Sequence, residues 1–202
     1  MPIGDVLSRF DRLGVCEGWV ASYRALYQNL KEGNLEAAQW AQQFPQRIHA
    51  LGILHPAHYG DSPERLLRWM SREAGIRAVA LFSQPAYYPI RWDAPVIRAI
   101  GRAAAREGIV LHAGIETESD LNAVCAAWGS LKSPVMIRWM AGHRYKSLAS
   151  EVVAAKECRN FYFDVSNLCS VGGIEWAAKT IGAKRLFFAS NTPHFIDRKS
   201  VV

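Results

Sequence analysis

The sequence predicts an α/β protein in which helices alternate with the strands of a parallel sheet. Seven short apolar runs alternate with segments of helical periodicity, which is the pattern of repeated strand–helix units. The runs, such as Ala78–Phe82, show little polar alternation, as expected of strands covered on both faces. No linker or shift in composition divides the chain, so a single domain over residues 1–202 is expected. An open doubly wound sheet and a (β/α) barrel both fit, although a full eight-stranded barrel usually takes about 250 residues.

Turn residues bound the seven predicted strands. Gly14 and Pro45 precede the first two strands, and Pro134 precedes the fifth. The predicted strands cover residues 16–22, 47–54, 77–82, 109–113, 135–140, 160–165 and 185–189.

Capping residues place the seven predicted helices between these strands. Ser62 before Pro63 is a good N-cap followed by proline at the first helical position, and Gly75 follows the end of that helix. Gly108 and Gly182 follow the ends of two others. The predicted helices cover residues 4–13, 35–44, 63–74, 95–107, 118–128, 146–158 and 173–181.

Composition excludes several classes of protein. Half of the residues are hydrophobic and 21% are charged, which excludes intrinsic disorder. No apolar run approaches the ~20 residues of a membrane span, and the N-terminus lacks the pattern of a signal peptide, so a cytoplasmic protein is expected. The four cysteines form no CxxC pair, which excludes a zinc ribbon and favours free thiols. They are Cys16, Cys125, Cys158 and Cys169.

The positive charge does not indicate a nucleic-acid partner. The net charge is +6, but the densest basic residues repeat every three or four positions, so each set is one stripe of a helix facing solvent. Neither interleaved aromatics nor a known module accompanies them, so no nucleic acid and no membrane is expected as a partner. The two stripes are Arg65, Arg68 and Arg72, and Arg98, Arg102 and Arg106.

Several segments, in the right order along most of the chain, carry a family resemblance. A helix, a glycine and a strand ending in His112 come first. A strand of the form N-x-Y-x-D-x-S follows, and then an ending that resembles G-x-x-R-hydrophobic-F-G-S-D-x-P. These segments are QFPQR at 43–47, GIRAV at 75–79, AREGIVLH at 105–112, NFYFDVS at 160–166 and GAKRLFFASNTP at 182–193. Together they resemble the amidohydrolase-related family of TIM-barrel, metal-dependent hydrolases with decarboxylase members.

The resemblance implies a metal site that this sequence largely lacks. The family holds a divalent ion such as zinc with a His-x-His pair on the first strand, a His on the fifth and an Asp on the eighth, while a His on the sixth assists. Here His112 stands at the fifth-strand position and is the one expected metal ligand, Trp139 replaces the sixth-strand His, and Asn191 replaces the Asp. A first strand with His-x-His is absent from the sequence. No bound cofactor is therefore expected, and His112, Trp139 and Asn191 are the predicted catalytic positions.

Other candidates follow predicted strands, at the barrel face where TIM-barrel sites lie. His143 is a further catalytic candidate in the loop after Trp139. Arg138 offers a bidentate fork for a carboxylate, but alternation lets only one of Arg138 and Trp139 face the barrel interior, and the resemblance favours Trp139. The remaining candidates are Tyr87, Tyr88 and His194 for substrate binding, Trp92 as a pocket wall, Asp164 as a hydrogen-bond partner of a neighbour, and the pair His55 and His58, which lacks an acidic partner.

The sequence thus predicts an incomplete (β/α) barrel of seven parallel strands with an eroded metal site. Three explanations stay open: a lost upstream strand, a degenerate barrel that keeps its pocket without metal, and a metal-free enzyme built from other residues. A hydrolase or decarboxylase of a small carboxylate-bearing molecule is expected, and the alternative is a non-catalytic ligand-binding or assembly subunit. Because a barrel gap exposes strand edges, self-association into a homo-oligomer is also expected.

Overall fold

The strands form one parallel sheet. The computed structural model describes residues 3–56, 62–83, 89–140, 149–166, 168 and 171–188. Within them seven strands lie side by side in chain order, as the sequence predicts. They are β1 (Gly18–Val20), β2 (Ile48–Ile53), β3 (Ala78–Phe82), β4 (Val110–Ile115), β5 (Val135–Trp139), β6 (Phe161–Asp164) and β7 (Leu186–Phe187).

Helices connect the strands in turn. Ser62 accepts a hydrogen bond from the Arg65 amide as the expected N-cap, and Gly108 ends the following helix with a left-handed φ of 65°. The helices are α1 (Ile3–Leu13), α2 (Tyr23–Tyr27), α3 (Leu30–Gln43), α4 (Pro63–Arg72), α5 (Pro95–Glu107), α6 (Glu118–Trp128), α7 (Ala149–Glu157) and α8 (Gly173–Ala177). In the described part of the chain no helix is long and apolar enough to cross a membrane.

Four elements differ from the prediction. Helix α2 was not predicted, because five residues are too few to show a helical period. Helix α3 begins at Leu30 rather than at residue 35, because Asn29 caps it by accepting a hydrogen bond from the Glu32 amide. Strand β7 has only two residues, and α8 ends at Ala177, where a π turn and a short 3₁₀ helix follow.

The sheet is curled into a half-barrel with its helices outside, which matches an incomplete TIM barrel. On the convex face, Leu111 and Ile137 pack in a core with Ile100 and Trp128 of the helices. On the concave face, the rings of His112 in β4 and Phe187 in β7 lie 5.9 Å apart. Strands three positions apart in a flat sheet are separated by about 14 Å. The short ring distance therefore requires the sheet to close around this face.

Polar residues of the resembling motifs anchor the barrel. Arg185 donates to the carbonyl oxygens of Ala155, Cys158 and Phe161 at 2.6–2.8 Å and so closes the C-terminal end of α7. Asn160 donates to the carbonyl of Trp128 at 3.0 Å. These two motif residues hold the helices to the sheet, since their hydrogen bonds join elements far apart in sequence.

Arg47 has the same role at the N-terminal end of the sheet. Its Nε donates to the carbonyl of Cys16 at 2.7 Å, and a terminal nitrogen pairs with Asp11 at 2.7 Å. Through these bonds Arg47, just before β2, fixes α1 and the segment leading into β1.

Candidate anion site on the concave face

One row of residues crosses the concave face from β3 to β7. Phe82 is paired with Gly114, and Gly114 with Arg138, in the parallel register of β3, β4 and β5. The register continues with Asp164 of β6 beside Arg138, and Asp164 is paired with Phe187 of β7. Because side chains alternate between the two faces of a strand, this row places one cation and one carboxylate between two aromatic rings.

Arg138 and Asp164 form a buried ion pair at the centre of the row. Arg138 Nε lies 3.5 Å from Asp164 Oδ2, and the two side chains are 9% and 2% exposed. The other Asp164 oxygen accepts a hydrogen bond from the Ser166 amide at 2.8 Å, so the carboxylate is held in place. Burial lowers the pKa of Arg138 and Asp164 opposes that effect, which leaves a guanidinium in a poorly hydrated setting.

The hydrogen-bonding capacity of Arg138 is not filled by the described residues. Its Nε and Nη2 are buried and make no hydrogen bond there. The guanidinium carbon lies over the Phe82 ring, 5.9 Å from the ring centroid. A buried donor without a partner is costly, so these nitrogens are positioned to bind an acceptor that comes from elsewhere.

His112 lies on the same face as Arg138, one row closer to the N-terminal ends of the strands. It is 3% exposed, and neither ring nitrogen has a hydrogen-bond partner in the described ranges. Its ring meets those of Phe82 and Phe187 edge-on, at centroid distances of 5.5 and 5.9 Å. Burial, and then the charge of Arg138, lowers the pKa of His112 to about 3. The imidazole is therefore neutral at pH 7, with one donor and one acceptor nitrogen.

Gly114 makes room for this arrangement. A Cβ on Gly114 would lie 2.5 Å from Cδ1 of Phe82 and 3.0 Å from Cγ of Met140. Glycine therefore lets the Phe82 ring lie across β4 and reach the guanidinium of Arg138.

The expectation that Trp139 faces the barrel interior is wrong. Trp139 is paired with Ile115 and belongs to the core between the sheet and the helices, together with Ile137. Arg138 consequently takes the inward position. Neighbouring side chains of a strand point to opposite faces, so only one of Arg138 and Trp139 can lie on the same face as His112.

The other predicted site residues are placed as follows. Trp92 does not form a pocket wall, because it packs edge-on against Trp128 at 5.8 Å in the core. His55 is buried just after β2. The remaining predicted residues lie outside the described ones: Tyr87, Tyr88, His58, His143, Asn191 and His194.

Sequence reasoning missed Phe82, Gly114 and Phe187 as site residues. Aromatic and small residues in apolar strands are normally core, so neither type marks a site. The one available signal was the alternation that groups His112, Gly114 and Arg138 on one face.

The described residues do not fit the family's divalent ion. His112 is a suitable ligand type, but the nearest charge on its face is the cationic guanidinium of Arg138. Asp164 is already engaged with Arg138 and the Ser166 amide. No cluster of three or more metal-ligating side chains occurs within the described ranges. A cation beside the histidine favours an anion here, not a metal ion.

Solved structures resemble this fold, although the sequence matches no protein-family model and no curated protein. An uncharacterised TIM-barrel protein from Bordetella bronchiseptica aligns with a TM-score of 0.67 and 16% identity, over 93% of this chain and 69% of that one. This chain has a TIM-barrel fold. The identity is too low to transfer an activity.

Two further matches are named as enzymes. A probable 2-pyrone-4,6-dicarboxylic acid hydrolase from Acinetobacter baumannii, with citric acid bound, has a TM-score of 0.67 and 13% identity over 99% of this chain and 76% of that one. A 5-carboxyvanillate decarboxylase from Novosphingobium aromaticivorans, with manganese and a nitrobenzoic acid bound, has a TM-score of 0.63 and 15% identity over 94% and 71%. Solved structures similar to this fold thus include proteins named as a hydrolase and as a decarboxylase.

Proposed function

We propose that this chain is an amidohydrolase-like protein that binds a small carboxylate-bearing molecule at Arg138 and hydrolyses or decarboxylates it. The observation that carries the proposal is the buried Arg138 with two nitrogens that the described residues leave without acceptors. A guanidinium presents a planar fork that suits the two oxygens of a carboxylate. The bound carboxylic acids of the two enzyme neighbours give independent support.

The surroundings of Arg138 strengthen an interaction with an anion. Arg138 is 8% exposed, so a carboxylate bound to it is screened little by water. Asp164 Oδ2 lies 3.5 Å from Nε without a hydrogen bond, so both Nε and Nη2 stay available to the ligand. The rings of Phe82 and Phe187 supply apolar contact on either side of the row.

His112 is the residue placed to act on the bound molecule. Its neutral imidazole can donate one hydrogen bond and accept another. With a pKa of about 3 it is a weak base, so in this role it orients a ligand or donates a hydrogen bond rather than removing a proton. The proposed function includes no metal-dependent step, because the described residues do not fit the ion.

The alternative is a non-catalytic ligand-binding or assembly subunit. The position of Arg138 next to His112 favours it, since a cation stands beside the residue that would be a metal ligand by resemblance. Both candidates share the binding step, and they differ only in turnover.

Binding is tested first with a panel of small mono- and dicarboxylates and their uncharged amides, by thermal shift. The proposal expects carboxylates to raise the melting temperature and the matched amides to have no effect. Equal shifts in melting temperature for the acids and their amides would contradict an anion site at Arg138. For every acid that binds, release of CO₂ and appearance of a hydrolysis product are then measured. Turnover supports the enzyme, and binding without turnover supports the alternative.

Metal content separates an eroded site from a working one. We expect elemental analysis of the purified chain to return far less than one zinc or manganese per chain, and Asn191→Asp alone not to restore binding. About one metal per chain, lost on His112→Ala, contradicts the eroded-site proposal.

We also propose that the chain associates with itself. In the described residues β1 is paired only with β2, so its other edge offers unpaired backbone groups. Trp19 of that strand is 42% exposed. Light scattering at micromolar concentration is expected to give a dimer or larger, and a monomer contradicts the proposal.

A further inference from the structure

Two thiols meet on the convex face, away from the anion site. Cys125 lies in α6, and Cys158 directly follows α7. Both residues flank Gly129 and line one groove, although they are 33 positions apart in the sequence. Cys158 is 4% exposed and Cys125 is partly exposed. The lining of this groove also includes Asn122, Ser130 and Glu157.

Gly129 brings the two thiols together. A Cβ at that position would lie 2.6 Å from Sγ of Cys158, so any side chain would displace the sulfur. The amide of Gly129 bonds to the carbonyl of Cys125 and continues the turn of α6. Arg185 holds the carbonyl of Cys158 from the other side at 2.7 Å. These contacts fix the position of Cys158 beside the C-terminal end of α6.

We propose that Cys125 and Cys158 form a reversible disulfide when the chain meets a small disulfide such as oxidised glutathione. The thiolate of Cys125, the more exposed of the two, attacks one sulfur of the oxidant and releases one glutathione thiolate. The thiolate of Cys158 then attacks the Cys125 sulfur and releases the second. Two thiols of the protein are oxidised, one disulfide of the oxidant is reduced to two thiols, and two protons pass between them.

The cross-link would enclose a functional part of the chain. The segment between Cys125 and Cys158 contains β5 with Arg138, and β6 with Asp164 begins three residues after Cys158. Joining α6 to α7 therefore ties together the two connections on either side of β5. A bond that closes such a loop stabilises the folded chain mainly by restricting the unfolded one.

The reaction is expected to be slow at neutral pH. Burial is the first cause that raises the pKa of Cys125 to about 12, and it also raises the pKa of Cys158. The thiolate is the attacking species, so the oxidation should accelerate as the pH rises from 7 to 9.

The test uses Cys16→Ser/Cys169→Ser, which keeps only the proposed pair, incubated with oxidised glutathione at pH 8.5. We expect the intact mass to fall by two hydrogens and digestion to give a peptide that joins Cys125 to Cys158. The melting temperature should rise by about 5 °C or more and return on reduction. Should this variant fail to fold, the wild-type chain is digested in the same way.

Cys125→Ser in the same background is the matched control, because it removes the pair and keeps Cys158. The intact mass of this control should not fall by two hydrogens. A stable glutathione adduct on Cys125 with Cys158 still free contradicts the proposal. The proposal is also contradicted if the disulfide forms in the urea-unfolded chain and not in the folded chain.

Discussion

Arg138 and Asp164 lie opposite each other on neighbouring strands and form an ion pair whose side chains are 9% and 2% exposed. Such a pair is costly to bury, and well-packed apolar residues often stabilise a protein as well or better. Its place in the row between Phe82 and Phe187 gives it a role in binding. The carboxylate of Asp164 supplies the counter-charge, and the guanidinium presents Nε and Nη2 to a ligand.

Breaking this ion pair from one side should destabilise the fold. Asp164→Asn leaves Arg138 buried without its counter-charge, so we expect the free energy of unfolding to fall by about 3 kcal/mol in urea titration. Asp93→Asn, in the exposed pair of Arg91 and Asp93, is the control and should change little. The double variant Arg138→Met/Asp164→Leu should lose less free energy of unfolding than Asp164→Asn does. A larger loss of stability in the double variant would contradict this expectation and show that the ion pair itself stabilises the fold.

The stability of the chain should depend on pH through His112. An unfolded histidine titrates near pH 6.5, whereas the pKa of His112 in the folded chain is about 3. Between these values the unfolded chain binds a proton that the folded chain does not. The free energy of unfolding should therefore fall as the pH is lowered from about 6.5, by up to ~1.4 kcal/mol per pH unit, with no contribution from His112 above pH 6.5.

Urea unfolding at pH 7.5, 6 and 5 measures this slope in the wild type and in His112→Gln. The slope should be shallower in the variant than in the wild type. Identical slopes in the wild type and His112→Gln would mean that His112 is not buried in its neutral form.

Gly114 should not tolerate a side chain. Alanine there would push the Phe82 ring away from Arg138, so we expect a loss of about 1–3 kcal/mol in the free energy of unfolding and weaker carboxylate binding. Gly4→Ala is the matched control, because nothing lies within 4 Å of its new Cβ. A Gly114→Ala chain as stable as Gly4→Ala would contradict the packing of Phe82 over β4.

Arg185 should matter for stability and not for ligand binding. Arg185→Ala removes three hydrogen bonds to carbonyl oxygens, and we expect a loss of about 2 kcal/mol in thermal or urea unfolding. Lys184→Ala, at the exposed neighbouring position, should have no effect. If Arg185→Ala stayed folded and yet lost carboxylate binding, Arg185 would do more than bond the carbonyl oxygens at the end of α7.

The fold was largely predictable, because its signals are local. Apolar runs marked all seven strands, and residues such as Ser62 and Gly108 marked helix ends at the right places. Helix α2 was missed because it is too short to show periodicity. The end of α8 was missed because glycine at 182 suited a longer helix equally well.

The candidate site was only partly predictable. His112 and Arg138 were singled out as chemical groups, and alternation correctly separated Arg138 from Trp139. Which of the two faces inward follows from the register of β5 against β4, and the resemblance gave the opposite answer. The contact between His112 and Phe187 depends on the curl of the sheet over three strands, which no local pattern encodes.

The central claim is that a carboxylate binds at Arg138 without a metal ion. It is tested by calorimetric titration of the best ligand from the panel into chain treated with EDTA, using the wild type, Arg138→Met and the exposed-site control Arg91→Met. We expect the wild type and Arg91→Met to bind with equal affinity, and Arg138→Met to bind at least about 30-fold more weakly, as loss of a charged hydrogen-bonding partner implies. Binding that disappears in EDTA from the wild type, or that Arg138→Met leaves unchanged, would contradict the account.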